Sequence, residues 1–302
     1  MAYTHELLSL LTRVRPFIRE DELLPEPNDV LKPHANRKMN FEDIDGGMTS
    51  VPVASAIEND TSPFPSVRLR EGYNPDSPYQ YWWTGYADYL RLQMVMERYY
   101  QGGQPETYFD FGCASGRVLR HLAAQTNLNL LACDFDLLNV RWVQRHLPRN
   151  IRIFQNTALP HLPVEDNSID MFSAYSVFSH IDLWEEAWLA EVRRVLRPGG
   201  LAYITIQSQH TWQRVAAREN SLKRLLSFEV SPALELTAES FDKPMPRERI
   251  VFFTKQHELY VITYVTTEYV EREWSRFLDV CTILEAPKGR FQEGVVLRKP
   301  LR

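Results

Sequence analysis

TYFDFGCASGRVLRHLAAQTNLNLLACD, residues Thr107 to Asp134, reads as a strand, a glycine-bearing turn, a helix and a second strand that ends in an acid. The first strand is predicted over Thr107–Phe111, the helix from about Gly116 to Gln125, and the second strand over Leu128–Cys133. Val118, Leu119, Leu122 and Ala123 fall on one face of that helix, the side expected to be buried. Gly112 and Gly116 let the backbone bend tightly and let a ligand lie against it. The unpaired N–H groups at a helix start favour a carboxylate or phosphate. An acid roughly 20 residues past a glycine turn is placed to accept hydrogen bonds from a ribose diol. Asp134 is in that range, at the carboxyl edge of a parallel sheet, where such folds bind ligands.

The glycine spacing chooses among ligands. A dinucleotide fingerprint needs G-x-G-x-x-G, whereas here Cys113, Ala114 and Ser115 separate Gly112 from Gly116. With Asp110 two residues ahead, D-F-G-C-A-S-G-R resembles motif I of the class I S-adenosylmethionine (SAM)-dependent methyltransferases. Ala114 stands where many members have glycine. Three further segments continue the resemblance in the family's order. Asn156-Thr-Ala-Leu-Pro-His-Leu-Pro163 with Asn167-Ser-Ile-Asp170 is similar to the stretch after the third strand. Phe178-Ser-His180-Ile lies where many members carry a motif ending in histidine, and Glu191-Val-Arg-Arg-Val-Leu-Arg-Pro-Gly-Gly200 is similar to E-x-x-R-V-L-k-P-G-G. The departure is at Asn156-Thr157, where the family's acidic adenine-site residue is missing.

Composition sets bounds. The 302 residues are 44% apolar, enough for a sizeable core, and carry a net charge of −5. That balance argues against a nucleic-acid binder working through a basic surface. Cys113, Cys133 and Cys281 are too few and too scattered for a disulfide framework or a zinc site. Reduced thiols, no secretory leader pattern and no run of 18 apolar residues lead to the expectation of a cytoplasmic protein with no membrane span.

Around the quoted stretch, residues 105–207 alternate strands and helices, with strands at Ile151–Gln155, Ile169–Ala174 and Leu201–Ile206 and helices near 137–146 and 183–196. Alternation of this kind implies a parallel sheet with helices on both faces. Asp182 is expected to cap helix 183–196, and Arg197-Pro198-Gly199-Gly200 to end it. Residues 4–18 show helical spacing; residues 20–78 are rich in proline and turn signals and read as a lid, a wrap or a disordered segment. Thr211–Leu226 reads as a helix, Leu259–Val265 as a strand, Thr267–Phe277 as a helix, and Leu278–Leu284 and Gly294–Arg298 as a closing pair of strands. The expected organisation is an N-terminal helix and extension over 1–78 and a methyltransferase domain over 79–302, with an insertion at about 208–250. The resemblance implies an α/β, Rossmann-like, doubly wound seven-stranded sheet, mostly parallel with an antiparallel last strand.

The same resemblance implies SAM as cofactor and a small-molecule acceptor methylated at O or N, as in sugar, lipid or natural-product metabolism. Asp110, Gly112, Cys113, Ala114 and Gly116 are expected along the methionine part, Asp134 at the ribose, Phe135 beside the adenine and Tyr175 beside the sulfonium. Asn156, Thr157 and Ala158 border the adenine edge, through either the Asn156 side chain or the backbone of the other two. Arg117 is assigned either to the SAM carboxylate or to a helix-end acid. His180 is the candidate general base, and Tyr81, Trp82 and Trp83 are candidate substrate contacts. No clustered acids stand near strand four, so no metal is expected. Two other readings stand beside this one: an NAD(P)-linked oxidoreductase and a SAM-binding scaffold or regulator without turnover.

Overall fold

The computed structural model describes residues 28–30, 38–70, 78–182, 184–231, 234–253 and 261–301. Its centre is a seven-stranded sheet. In chain order the strands are β5 (Thr107–Phe111), β6 (Asn129–Asp134), β7 (Ile151–Gln155), β8 (Ile169–Ala174), β9 (Leu196–Ile206), β13 (Asp279–Leu284) and β14 (Glu293–Arg298). In space the order is β13-β14-β9-β8-β5-β6-β7. The pairs among β5 to β9 are parallel, while β14 runs antiparallel to both β9 and β13. The last strand is thus inserted between two earlier ones, the predicted doubly wound arrangement.

The central strands carry near-continuous apolar runs because both faces are covered. Every residue of β5 and β8 is buried. Alternate side chains go to opposite layers. Tyr108, Leu130, Ala132 and Met171 pack with Trp82, Leu119 and Trp142 of α2 (Pro78–Tyr99), α3 (Leu119–Gln125) and α4 (Leu137–His146), which follow α1 (Ala54–Asn59) in the chain. Phe109, Phe111, Phe172 and Ala174 pack with Trp188, Leu189 and Val192 of α5 (Glu185–Val195) and with Trp274. The sheet is pinned at its base by Asp170, a buried carboxylate. It accepts the Glu106 and Thr107 amide N–H groups at 2.9 Å each and pairs with Arg197 at 3.1 Å.

Several sequence expectations change. The segment 38–70 is built, with a hairpin of β2 (Lys38–Glu42) and β3 (Met48–Pro52), then α1, then β4 (Pro63–Phe64), which pairs antiparallel with β1 (Asn28–Val30). Asp60 follows α1 and is the hub of a buried cluster. Arg120 reaches it at 2.6 Å and the Trp82 indole N–H donates to it at 2.9 Å. The predicted helix 4–18 lies outside the described residues. Helix α3 begins at Leu119, because Ala114 to Val118 are still in the turn. Helix α5 begins at Glu185, so Asp182 is not its cap; the chain first makes a 3-10 turn at Phe178–His180, and the Asp182 carbonyl accepts from Arg249. Arg197 to Gly200 already belong to β9, where Gly199 and Gly200 exchange backbone hydrogen bonds with Lys299. The predicted helix 211–226 is two helices, α6 (Gln209–Val215) and α7 (Glu219–Leu226), parted at Arg218.

After β9 the chain also builds a separate three-stranded antiparallel sheet from β10 (Glu229–Ser231), β11 (Arg249–Phe253) and β12 (Val261–Val265). Trp212, Phe241, Ile250, Phe252 and Tyr264 form its own core. Val265 N–H donates to the Gln207 carbonyl at 3.0 Å, which joins this excursion to the end of β9.

Candidate active site

At the carboxyl ends of β5, β6 and β8 a cavity of about 750 Å³ opens between the sheet and the excursion. Register brings the strand tips level: Phe111 pairs with Cys133, Asp110 with Ser173, and Asp134 with Gln155.

The glycine turn forms the floor. Gly112 and Cys113 both donate their N–H to the Cys133 carbonyl, at 2.9 and 3.0 Å, so the turn crosses directly over the tip of β6. Gly112 has φ +70°, and a Cβ there would meet Val177 Cγ2 at 2.4 Å. Gly116 has φ +81° and faces Leu147, with a virtual Cβ 2.5 Å from Leu147 Cδ2. Only Gly112 of the two lines the cavity. Gly116 does not line the cavity; its left-handed backbone angle calls for glycine, and Leu147 at the end of α4 lies against it. Ala114 takes the left-handed region at φ +48° without being glycine. Asp134 supports it: its carboxylate accepts the Ala114 N–H at 2.8 Å, the Asp136 N–H at 2.9 Å and the Asn139 side chain at 3.3 Å.

Burial dominates the electrostatics. It pushes Asp134 up to about 7, against those hydrogen bonds. Burial likewise raises Asp110 to about 6, although the Ser173 hydroxyl donates to it at 2.7 Å and Arg117 pulls the other way. Cys113 and Cys133 are buried thiols pushed well above their usual range, so neither is a nucleophile here.

The walls are completed by residues far apart in the chain. Phe135 is 49% exposed, a large apolar ring left open at the tip of β6. Asn156 donates Nδ2 to the Thr157 carbonyl at 3.0 Å, while its Oδ1 is buried and has no hydrogen-bond partner. Thr157, Ala158 and Tyr175 also line the cavity. The Tyr175 hydroxyl donates to the Asp88 carbonyl at 3.3 Å. Arg117 pairs with Asp88 at 2.6 Å, an acid in the middle of α2 and so not at a helix end. Arg290 reaches the same carboxylate at 3.4 Å. His180 sits on the opposite wall, where its Nδ1–H donates to the Val261 carbonyl at 2.7 Å and burial lowers its pKa.

Of the aromatic trio, Tyr81 lines the cavity; its hydroxyl donates to Ser115 Oγ at 2.9 Å, and Ser115 in turn donates to the Leu69 carbonyl. Trp82 and Trp83 do not line it. Trp82 is fully buried against Tyr86 and His121, and Trp83 packs edge-on against Trp82, so the expectation of substrate contact is corrected to core packing. Asp88, Arg91, Arg290 and Gln292 escaped the sequence reading. They carry no local motif and reach the cavity through α2 and the loop before β14. Among the described residues, no group of three or more His, Cys, Asp or Glu is arranged to hold a metal ion, and no helix is long and apolar enough to cross a membrane.

Residues 109–204 match the family model described as a methyltransferase domain. No curated protein matches the chain. Three solved structures are among those to which the chain is similar. The 1,6-didemethyltoxoflavin-N1-methyltransferase of Burkholderia thailandensis is 15% identical, with 69% of this chain and 76% of that chain covered and a TM-score of 0.46. A SAM-dependent methyltransferase of Methanosarcina mazei is 17% identical, with 69% and 98% covered and a TM-score of 0.47. One from Clostridium acetobutylicum is 12% identical, with 77% and 96% covered and a TM-score of 0.48. Likenesses at this level identify no acceptor.

Proposed function

We propose that the chain is a class I SAM-dependent methyltransferase, supported by the match of residues 109–204 to a methyltransferase-domain model, and that it methylates a small molecule at oxygen or nitrogen. SAM is the cofactor of this domain. The observation that carries the proposal is the pairing of Phe135 with Asn156 on one cavity wall. An exposed aromatic ring offers a face for a base, and a buried, unpartnered carbonyl oxygen offers an acceptor for an exocyclic amine. This favours the Asn156 side chain over the neighbouring backbone as the adenine contact.

The remaining assignments follow the cavity. Asp134 receives the ribose hydroxyls with the lone pairs that its support of the turn leaves over. Asp110, Gly112, Cys113 and Ala114 border the methionine part, and Tyr175 stands between that region and the acceptor. When bound, SAM supplies a methyl group already activated by a sulfonium. The chain then has to hold the acceptor atom in line and exclude water. The Nδ1–H donation to Val261 fixes the His180 tautomer, so its Nε2 carries the lone pair, and burial keeps the ring neutral. His180 is therefore suited to take a proton from an acceptor hydroxyl or ammonium at Nε2.

We further divide the chain into an extension over 1–78 and a methyltransferase domain over 79–302. The insertion starts at about 208 and is read as running to Val265, since β11 pairs with β12. Segment 38–70 acts as a wrap, because Leu69 is held by Ser115 and Asp60 by Arg120.

The test is turnover. Full-length protein with methyl-labelled SAM and a panel of small hydroxyl and amine acceptors should release S-adenosylhomocysteine (SAH), and His180→Gln should lower kcat with SAH affinity unchanged. NADH binding in place of SAH binding would instead support an oxidoreductase. SAH binding with no turnover across a broad panel would support a scaffold or regulator.

A further inference from the structure

The outer half of the cavity, away from the strand tips, is walled by α6, α7, β12 and the loop before β14. Arg214, Arg218 and Arg224 all line it, in a chain whose net charge is −5. Of the cavity's aspartates, Asp88 is on α2, Asp110 on β5, Asp134 and Asp136 at the tip of β6, and Asp182 just after the 3-10 turn that carries His180.

Arg214 is in the last turn of α6 and Arg218 is in the break between α6 and α7. Among the described residues neither forms an ion pair with a carboxylate. Arg214 Nη1 donates to the Arg290 carbonyl at 3.3 Å. The Arg218 guanidinium lies over the Phe291 ring, 3.3 Å from its centroid. A carbonyl and a ring face orient a guanidinium without neutralising it. Stacking occupies the face of the group and leaves its edge of N–H donors for a planar or tetrahedral oxyanion. Both contacts are to the same loop, so the two cations are brought together at one edge of the cavity. Leu225, Val261 and Ile262 on the neighbouring wall are apolar.

Resting on the methyltransferase reading, we infer that the acceptor is an apolar small molecule bearing a carboxylate or phosphate, received by Arg214 and Arg218. The acid group anchors the molecule at the rim, and the apolar body reaches inward toward His180 and Tyr175.

The experiment uses the full chain saturated with SAH. Benzoate, phenyl phosphate and the neutral benzyl alcohol are titrated separately by calorimetry into wild type and into Arg214→Gln/Arg218→Gln. The expected result is saturable binding of at least one anion, with benzyl alcohol weaker by at least about tenfold. The two anions separate a carboxylate from a phosphate preference. The double variant should lose at least about tenfold in anion affinity, with SAH affinity and Tm unchanged. Arg214→Lys/Arg218→Lys should recover part of the loss, which a purely structural role in holding the loop would not produce. If the glutamine variant fails to fold, added NaCl applied to wild type decides the matter. Anion affinity should then fall with salt while that of benzyl alcohol does not. Equal binding of neutral and anionic probes, undiminished anion binding by the folded glutamine variant, or no anion binding at millimolar concentration would each overturn the inference. Loss of SAH binding by wild type would sink the methyltransferase reading instead, and the same titrations without SAH would still judge the arginine site.

Discussion

The carboxylate of Asp134 accepts the amide N–H of Ala114 at 2.8 Å, tying the tip of β6 to a turn residue at φ +48°. One group thus shapes the turn and faces the cavity. Burial pushes it up to about 7. In the ligand-free protein its contribution to stability is therefore fully present below the ordinary aspartate range and is lost as the pH rises through 7. A ligand whose hydroxyls donate to the ionised carboxylate has the opposite preference. SAH affinity is expected to rise between pH 5 and 7 by up to about tenfold per unit and to level off above. Asp134→Asn should flatten that profile. Calorimetry across the pH series checks it, and a flat wild-type profile would count against the role.

Gly112 is confined by both its backbone angle and its neighbour, Val177. Gly112→Ala should cost about 2–4 kcal/mol, the sum of a left-handed alanine and a clash in a packed site. In a Val177→Ala background the Cγ2 atom is gone, and the same change should cost only about 1–2 kcal/mol. Urea unfolding of the four proteins of this cycle measures the difference, and strict additivity would refute the clash.

The buried Asp60–Arg120 pair, 2.6 Å apart with both side chains almost fully enclosed, joins the wrap to α3. Arg120→Met leaves Asp60 buried with, among the described residues, the Trp82 indole and the Ser62 amide as its remaining hydrogen-bond donors. Removing one partner of such a pair costs about 3–5 kcal/mol. Replacing both, as in Asp60→Leu/Arg120→Met, should cost less than the sum of the single changes. Thermal unfolding would reveal the coupling.

These cases show what the sequence could and could not reveal. Strands β5, β6 and β8 were legible because covered central strands are apolar throughout, and the acid ending β6 stood where its spacing implied. Most of the cavity floor was legible for the same reason: turn, strand tip and Asn156 are local features. Asp60 and Arg120 were not, because their meaning depends on a contact across 60 residues of sequence. Gly116 was expected beside a ligand, yet it does not line the cavity, and its left-handed backbone angle is what calls for glycine. Trp82 was expected to touch the substrate, but Asp60 and His121 enclose it. Strand β11, RIVFF, shows its role only once it is paired with β12.

The cavity at the tips of β5 and β6 is the proposed SAM site. It is tested most directly by calorimetric titration of SAM and SAH into wild type and Asp134→Ala. Wild type should bind both, and the variant, still folded, should be weaker by at least about tenfold, or about 1.4 kcal/mol. A folded wild-type protein that binds neither, or a variant that binds them as tightly as wild type, would contradict it.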